Sequence, residues 1–226
     1  MLDWIFTPRC VACDEPGGIL CHACGVAFDP LGPACPRCAE PTGEYAVTCG
    51  RCLASPLPLE AITASWQFGG QLAVAIKRLK FANHPHIARD VATLWADVLA
   101  AATDPDAVVV PIPLHWWRRC KRGYDHAWLL AKYACRAAAL PPPVAALRRT
   151  RASPPQSKLT AAQRRDNLRG AFAVRDRRIE GRPVVLVDDV VTTGATLAAA
   201  ARALLAHGAT RVVGVCLARA ATSARG

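Results

Sequence analysis

Eight of the 11 cysteines in this 226-residue chain form four Cys-x-x-Cys pairs near its start. One such pair can place two thiolates on a tetrahedral metal ion, and zinc accepts four thiolates. Because catalytic zinc keeps one coordination position open for water and four thiolates leave none, the pairs predict two structural zinc sites. The predicted ligands are Cys10, Cys13, Cys21, Cys24, Cys35, Cys38, Cys49 and Cys52.

The spacing of the cysteine pairs leaves their grouping open. Consecutive pairs could share one zinc ion, or the first pair could join the third, as in cross-braced modules. The separations favour consecutive pairing, because seven residues lie between Cys13 and Cys21 and ten between Cys38 and Cys49. An iron–sulfur cluster is a weaker interpretation, since regular paired spacing is typical of zinc ribbons.

A disulfide framework is the remaining interpretation of the cysteines, and it requires an oxidising compartment. Asp3 stands where a secretory signal needs positive charge, and the apolar run beside it is too short for a signal core. A cytoplasmic location is therefore expected, where thiols stay reduced and clustered cysteines favour metal binding. No stretch approaches 18 uninterrupted apolar residues, so no membrane span is predicted.

A second segment whose residues could do chemistry lies at 184–196. An aliphatic strand there ends in two acidic residues, and a Thr/Gly loop then precedes a helix. Open α/β sheets bind ligands at such a place. Adjacent carboxylates can accept hydrogen bonds from vicinal ribose hydroxyls, while loop N–H groups and hydroxyls can hold a phosphate. The alternative is a capped helix start with incidental acids. The predicted binding residues are Asp188, Asp189, Val190, Val191, Thr192, Thr193, Gly194, Ala195 and Thr196.

The elements that must position these residues alternate between strand and helix. Fully aliphatic strands are typical of a parallel sheet that is buried on both faces. The predicted fold is therefore α/β, with a mostly parallel sheet, helices on both faces and a small zinc-ribbon module in front. Strands are predicted at 61–68, 108–111, 184–187 and 212–217, and helices at 71–81, 85–102, 123–140 and 196–207.

A proline-containing connector after the cysteines, Ser55-Pro56-Leu57-Pro58, predicts a domain boundary. The zinc module is placed at 1–56 and the α/β domain at 57–226. Within the latter, the Arg-rich stretch 147–170 is predicted to be a long functional loop with a short helix at 160–168.

The net charge of +11 is unevenly distributed. Residues 1–56 carry 3 basic and 6 acidic side chains, whereas residues 57–226 carry 25 basic and 11 acidic ones. Between His115 and Arg182 alone, 17 basic side chains face 4 acidic ones. This excess predicts a polyanionic partner, such as nucleic acid or a phosphate-rich small molecule, at the α/β domain. Trp116 and Trp117 beside two arginines could stack on single-stranded bases, or could equally anchor a core or an interface.

The run of acids and Thr/Gly residues strongly resembles the ribose-5-phosphate signature of type I phosphoribosyltransferases. The resemblance implies a catalytic site at Asp188 and Asp189, which would face the 2- and 3-hydroxyls of the sugar. It also implies that residues 192–196 bind the 5-phosphate, and that magnesium accompanies phosphoribosyl pyrophosphate. By position, residues 114–123 would form the pyrophosphate loop and residues 147–170 the hood over the active site.

Together, the cysteine module and this run resemble the ComF family of phosphoribosyltransferase-like proteins linked to DNA uptake in naturally competent bacteria. Two functions that do not exclude each other are expected. One is a magnesium-dependent transferase of unknown acceptor that uses phosphoribosyl pyrophosphate, and the other is a non-enzymatic factor that handles single-stranded DNA with competence proteins. One departure stands out. Residues 122–126 read Arg-Gly-Tyr-Asp-His where the family usually has Arg-Gly-Phe-Asn-Gln, and this change is expected to alter what the loop recognises. The likeness extends to 76–81, 111–114, Gln156, Leu159, Arg164, Asn167 and Phe172.

Overall fold

A computed structural model describes residues 9–16, 18–81, 84–150 and 170–221 of the chain. Its strands are β1 (Ile62–Gln67), β2 (Val108–Pro111), β3 (Leu147–Arg149), β4 (Phe172–Val174), β5 (Pro183–Val191) and β6 (Arg211–Arg219). Its helices are α1 (His22–Val26), α2 (Gly50–Ala54), α3 (Gly70–Phe81), α4 (Ile87–Ala101), α5 (Trp116–Arg122), α6 (His126–Ala137) and α7 (Ala195–Ala206).

A four-stranded parallel sheet forms the centre of the fold, in the order β1-β6-β5-β2. β5 and β6 lie in the middle and are the longest strands, at nine residues each. Their apolar segments are almost entirely buried, as expected for strands covered on both faces. The predicted parallel sheet of aliphatic strands is confirmed.

Helices cover both faces of this sheet, also as predicted. On one face, α3, α4 and α6 pack against Val185, Val187 and Val215, with Trp95 of α4 completely buried among them. On the other face, α7 packs against Val184 and Leu186. This division follows from the pleat of the strands, which sends successive side chains of β5 to opposite faces.

The segment predicted to be a long loop begins with a strand instead. β3 pairs antiparallel with β4, and Arg149 lies opposite Phe172. Leu147 and Phe172 are both buried, so the short ribbon closes over one edge of the core. The helix predicted at 160–168 lies outside the described residues.

Residues 114–123, predicted to be a loop, contain the helix α5. It ends at Gly123, which adopts the left-handed conformation with φ of 81°. A new helix, α6, then begins at His126, three residues later than predicted, because Asp125 caps it by accepting hydrogen bonds from the amides of Ala127 and Trp128.

The zinc module predicted at 1–56, called the cysteine module below, is built from two similar halves. Each half has a short helix that follows a cysteine, Cys21 before α1 and Cys49 before α2. It packs against the apolar cores on both faces of the sheet. Leu31 joins the core beneath α7, while Val11 and Phe28 join the core beneath α3, α4 and α6. Among the helices of the described part of the chain, none combines the length and apolar character needed to cross a membrane.

Candidate functional site

The cysteines form two compact tetrads, and each combines consecutive pairs, as the spacing favoured. The first contains Cys10, Cys13, Cys21 and Cys24, and the second contains Cys35, Cys38, Cys49 and Cys52. Within each tetrad all the sulfur atoms lie within 4.8 Å of one another. Four sulfurs at such separations suit one tetrahedral zinc ion in each tetrad. Four thiolate ligands leave no open coordination position for a catalytic water.

Backbone amides support the thiolate form in both tetrads. Cys10 Sγ accepts hydrogen bonds from the amides of Ala12 and Cys21, both at 3.4 Å, and Cys35 Sγ accepts one from Cys49 at 3.3 Å. Burial opposes ionisation of these thiols, but the N–H groups outweigh it and lower the pKa of both Cys10 and Cys35 to about 6. One sulfur of each tetrad therefore favours the thiolate, which is the metal-binding form, whereas burial and the neighbouring sulfurs raise the pKa of Cys24 and Cys52.

The predicted acid pair lies inside β5 rather than at its end, because the strand continues through Asp188 and Asp189 to Val191. Register with β6 is maintained across the acids, with Asp188 opposite Cys216 and Val191 opposite Arg219. The carboxylates are therefore fixed by a central strand of the sheet.

Asp189 is only 3% exposed and is held by partners from two helices. Lys80 of α3 places its Nζ 2.5 Å from Asp189 Oδ2, and His126 of α6 places its Nε2 3.5 Å from Asp189 Oδ1. Burial raises the pKa of Asp189, but Lys80 and His126 outweigh it and hold the pKa of this carboxyl well below its ordinary value. Asp189 is thus an ionised group within an organised cluster.

Arg122 determines the orientation of His126. Its Nη1 lies 2.7 Å from His126 Nδ1, and because a guanidinium can only donate, Nδ1 must accept. The hydrogen of the neutral ring then lies on Nε2, which faces Asp189. Arg122, His126 and Asp189 therefore form one connected chain of polar groups.

Asp188 differs from its neighbour. Burial and the charge of Asp189 raise the pKa of Asp188, although Lys80 acts in the opposite direction. Its Oδ1 accepts a hydrogen bond of 2.9 Å from the Asp189 amide. A carboxyl with a raised pKa can both donate to and accept from a hydroxyl, whereas Asp189 only accepts, so the pair suits a vicinal diol.

The loop that follows the acids opens α7. Gly194 occupies the N-cap position with φ of 75°, a left-handed conformation that favours glycine. A Cβ atom at this position would lie 3.2 Å from the side chains of both Ile62 and Leu57. Thr193 Oγ1 accepts a hydrogen bond from the Ala195 amide at 3.3 Å, and Thr192 is exposed. The loop therefore brings hydroxyls and first-turn amides of a 12-residue helix together, which is an arrangement suited to an anion.

The residues that depart from the family pattern make contacts within the chain. Tyr124 donates its hydroxyl hydrogen to the carbonyl of Leu79. Asp125 caps α6 and also accepts a hydrogen bond from the Leu114 amide at 2.8 Å. Together with His126 beside Asp189, these residues position the acid pair and the end of the sheet.

Basic residues from the predicted pyrophosphate loop and hood surround this end of the sheet. A cavity of about 780 Å³ extends from Lys80 along α5, and a second cavity of about 490 Å³ lies between α5 and β3. The first is lined by Lys80, Phe81, Trp117, Arg118, Cys120, Lys121, Arg122 and Gly123. Arginines in the second are Arg119, Arg148, Arg149 and Arg175. The predicted hood residues 151–169, which include Gln156, Leu159, Arg164 and Asn167, lie outside the described residues.

The parallel sheet, with an acid pair on β5 and a glycine-started helix after it, defines an α/β domain of the phosphoribosyltransferase type preceded by two zinc-ribbon-like halves. Comparison with known families agrees: a Phosphoribosyl transferase domain model matches residues 123–225, and a Double zinc ribbon domain model matches residues 1–53.

Relatives match both parts together. The chain is 34% identical over 206 residues to DNA utilization protein YhgH of Escherichia coli O157:H7, and the match covers 88% of this chain and 90% of that protein. It is 32% identical over 204 residues to Competence protein F of Haemophilus influenzae, covering 85% of this chain and 88% of that protein. Competence protein ComFC of Bacillus subtilis is 27% identical over 202 residues, covering 86% and 81%. The chain belongs to the ComF family.

Proposed function

We propose that this protein binds phosphoribosyl pyrophosphate or a related sugar phosphate at the end of β5 and acts in DNA uptake. The observation that supports the ligand is the pair of unlike carboxyls, Asp188 and Asp189, followed at once by the Gly194-started helix. Along the chain the acids come first and the loop second, which is the order in which the resemblance places the ribose hydroxyls and the 5-phosphate. In this proposal Asp188 and Asp189 bind the 2- and 3-hydroxyls, and Thr192 to Thr196 hold the phosphate.

Val190 and Val191 have a supporting part, since both belong to β5 and set the distance between the acids and the loop. The pyrophosphate would face the basic side chains of α5 and β3, where arginines can form bidentate contacts with phosphate oxygens. The resemblance implies magnesium as well. The cluster of His126, Asp188 and Asp189 is a poor magnesium cage, because Lys80 already neutralises Asp189 and His126 turns an N–H toward it. Magnesium is therefore assigned to the phosphate oxygens of the ligand.

The biological part of the proposal rests on relatives named for DNA utilization and competence, with which this chain shares both its parts. Loss of natural transformation or of DNA utilization after deletion of the gene would support it. Deletion without effect on either would contradict it.

Calorimetry with phosphoribosyl pyrophosphate and magnesium tests the ligand. The wild type is expected to bind, and Asp188→Ala is expected to lose up to about tenfold in affinity, since it removes the partner of a sugar hydroxyl and a typical hydrogen bond contributes about 0.5–1.5 kcal/mol. Asp176→Ala is the matched control, because Asp176 is a half-buried aspartate like Asp188 but pairs with Arg178, and it should bind like the wild type. Equal affinity of Asp188→Ala and the control would refute the assignment.

Turnover is a separate question from binding. Release of pyrophosphate with a panel of nucleobases and amines would identify the protein as a transferase. Binding without release for every acceptor would favour the non-enzymatic alternative.

A specific observation favours single-stranded DNA as a second ligand. None of the residues of α5 is buried, and Trp116 and Trp117 are 65% and 56% exposed on it. Lys121 Nζ lies 5.6 Å from the ring centroid of Trp117, and Arg122 Cζ lies 5.3 Å from that of Phe81. Exposed aromatic rings interleaved with cations are the side chains on which unpaired bases stack.

Fluorescence anisotropy with a labelled oligothymidylate tests this second ligand. Binding should weaken steeply as salt rises, and Trp117→Ala should lose roughly 1–3 kcal/mol of affinity, the contribution of one stacked base. Tyr45→Ala is the matched control, because Tyr45 is also an exposed aromatic residue but lies in the cysteine module. Binding that ignores salt, or equal loss in both variants, would contradict stacking on α5.

A further inference from the structure

Arg219, the last residue of β6, is an internal cation whose guanidinium contacts the cysteine module. It is 2% exposed. Its Nη1 donates a hydrogen bond of 3.1 Å to the carbonyl oxygen of Cys38, and its Nη2 forms an ion pair with Glu40. A buried guanidinium is strongly destabilising unless it is paired, so the position of Glu40 and that of the end of β6 depend on each other.

Glu40 is in turn tied to the second tetrad. Arg51 places its Nη2 3.4 Å from Glu40 Oε2 and 3.3 Å from Cys38 Sγ. Cys38 is a member of that tetrad. One network therefore runs from a metal-binding sulfur through Arg51 and Glu40 to the guanidinium of Arg219.

The backbone of Arg219 lies beside the residue that precedes the phosphate loop. Arg219 pairs with Val191 in the sheet, and the Ala220 amide donates a 2.9 Å hydrogen bond to the Val191 carbonyl. Val191 is followed directly by Thr192. The network thus ends one residue before the loop to which we assign the 5-phosphate.

A second contact links the same tetrad to the other end of the loop. Arg37, which lies between two cysteines of the second tetrad, donates through Nη2 to the carbonyls of Leu57 at 3.4 Å and Leu59 at 3.2 Å. The Leu57 side chain closes the space beside Gly194, the N-cap of α7. The first tetrad lies elsewhere. A Cβ atom at Gly25, beside this tetrad, would lie 3.2 Å from the side chain of Leu94 in α4, on the opposite face of the sheet from α7.

We propose that the second cysteine tetrad, through Glu40 and Arg219, positions the phosphate loop, so that an intact metal-bound tetrad is required for full affinity there. Glu40 and Arg219 are positioning residues in this arrangement, because neither belongs to the loop itself. The first tetrad stabilises the module without this effect. The affinity part rests on the function proposed above, whereas the positioning part concerns the ligand-free protein.

Hydrogen exchange of the ligand-free protein tests the positioning directly. Glu40→Gln removes the charge opposite Arg219 and should speed exchange of the amides of residues 190–197 by about tenfold or more. Glu60→Gln is the matched control, because Glu60 pairs with Arg211 at the other end of the same strand, at 3.2 Å. The control should leave the loop unchanged, and Glu40→Asp, which keeps the carboxylate, should restore part of the protection.

A global effect is separated from a local one by urea unfolding and zinc analysis of the same variants. Faster exchange at 190–197 with the zinc content and the exchange of the α4 amides unchanged supports the proposal. Equal exchange at 190–197 in Glu40→Gln and Glu60→Gln, or a uniform increase over all slow amides, overturns it.

The two tetrads provide an independent comparison. Cys49→Ser in the second tetrad should weaken binding of phosphoribosyl pyrophosphate about tenfold, whereas Cys13→Ser in the first should leave it near the wild-type value. Equal weakening by both would overturn the proposal. If the wild type binds no phosphoribosyl pyrophosphate, the proposed function fails, and the exchange comparison alone decides the positioning role.

Discussion

The ion pair between Lys80 and Asp189 provides the sharpest test of the site as the structure presents it. Lys80→Met removes the cation while preserving most of the apolar stem of the side chain. The Asp189 side chain is only 4% exposed and that of Lys80 is 23% exposed. Removal of one partner of a buried pair costs about 3–5 kcal/mol, and because water can reach the vacated position of Lys80, we expect about 3 kcal/mol here.

Urea unfolding of two matched variants measures this loss. Lys77→Met makes the same substitution on the same helix at an exposed position and should change the free energy of unfolding by less than about 0.5 kcal/mol. Lys80→Met with Asp189→Asn removes both charges and should recover much of the stability lost in the single variant. If Lys80→Met costs no more than Lys77→Met, the carboxylate of Asp189 does not depend on Lys80 and the described site is wrong.

The pH dependence of the same variant has a definite sign. In the wild type the pKa of Asp189 is lowered, so its contribution to stability is present above the pKa of the unfolded chain, about 3.9, and is lost as the pH falls. Without Lys80, burial raises the pKa of Asp189, and the carboxyl can be protonated at higher pH. The stability deficit of Lys80→Met should therefore shrink between about pH 7 and about pH 5. A deficit that grows over this interval would contradict the assignment.

Three further predictions concern the loop, the cap and the tetrads. Gly194→Ala should destabilise the protein by about 1–3 kcal/mol, which is more than Gly181→Ala. Both glycines have positive φ, but of the two only Gly194 lacks room for a Cβ atom. Equal losses of stability in thermal unfolding would contradict this packing around Gly194. Asp125→Ala should cost about 1–2 kcal/mol through loss of the α6 cap, whereas Asp125→Asn should cost less, and the reverse order in urea unfolding would refute the capping role. Metal analysis of the pure protein should find two zinc ions per chain, falling toward one in Cys13→Ser, and less than one in the wild type would refute zinc binding by the tetrads.

The sheet and its two covered faces were predictable because they depend on composition along short segments. A strand such as 184–187, aliphatic at every position, can be buried only between two layers. The strand–acid–loop–helix order was equally visible, since it occupies one continuous run. The full length of β5 was not, because Asp188 and Asp189 have low strand propensity and are kept in the strand by pairing with β6.

The missed elements have physical reasons as well. α5 lies within residues 114–123, which the family resemblance identified as the pyrophosphate loop. Because none of the residues of α5 is buried, its sequence shows no apolar periodicity that could have indicated a helix. β3 has only three residues and two of them are arginines; it forms a strand because β4 offers a partner. In both cases tertiary contacts, or their absence, decided what local pattern could not show.

The sequence by itself determined the chemistry that is available: eight thiols in four pairs, and two carboxyls followed by a Thr/Gly loop. These features are local, and residue type with spacing defines them. Only the tertiary structure decided that Lys80 neutralises Asp189, that His126 faces it, and that Arg219 joins the second tetrad to the strand before the loop. Such pairs bring together residues that are far apart in the chain. They form because the helices and the cysteine module pack on one sheet and exclude water, so that each buried charge has only its neighbours as partners.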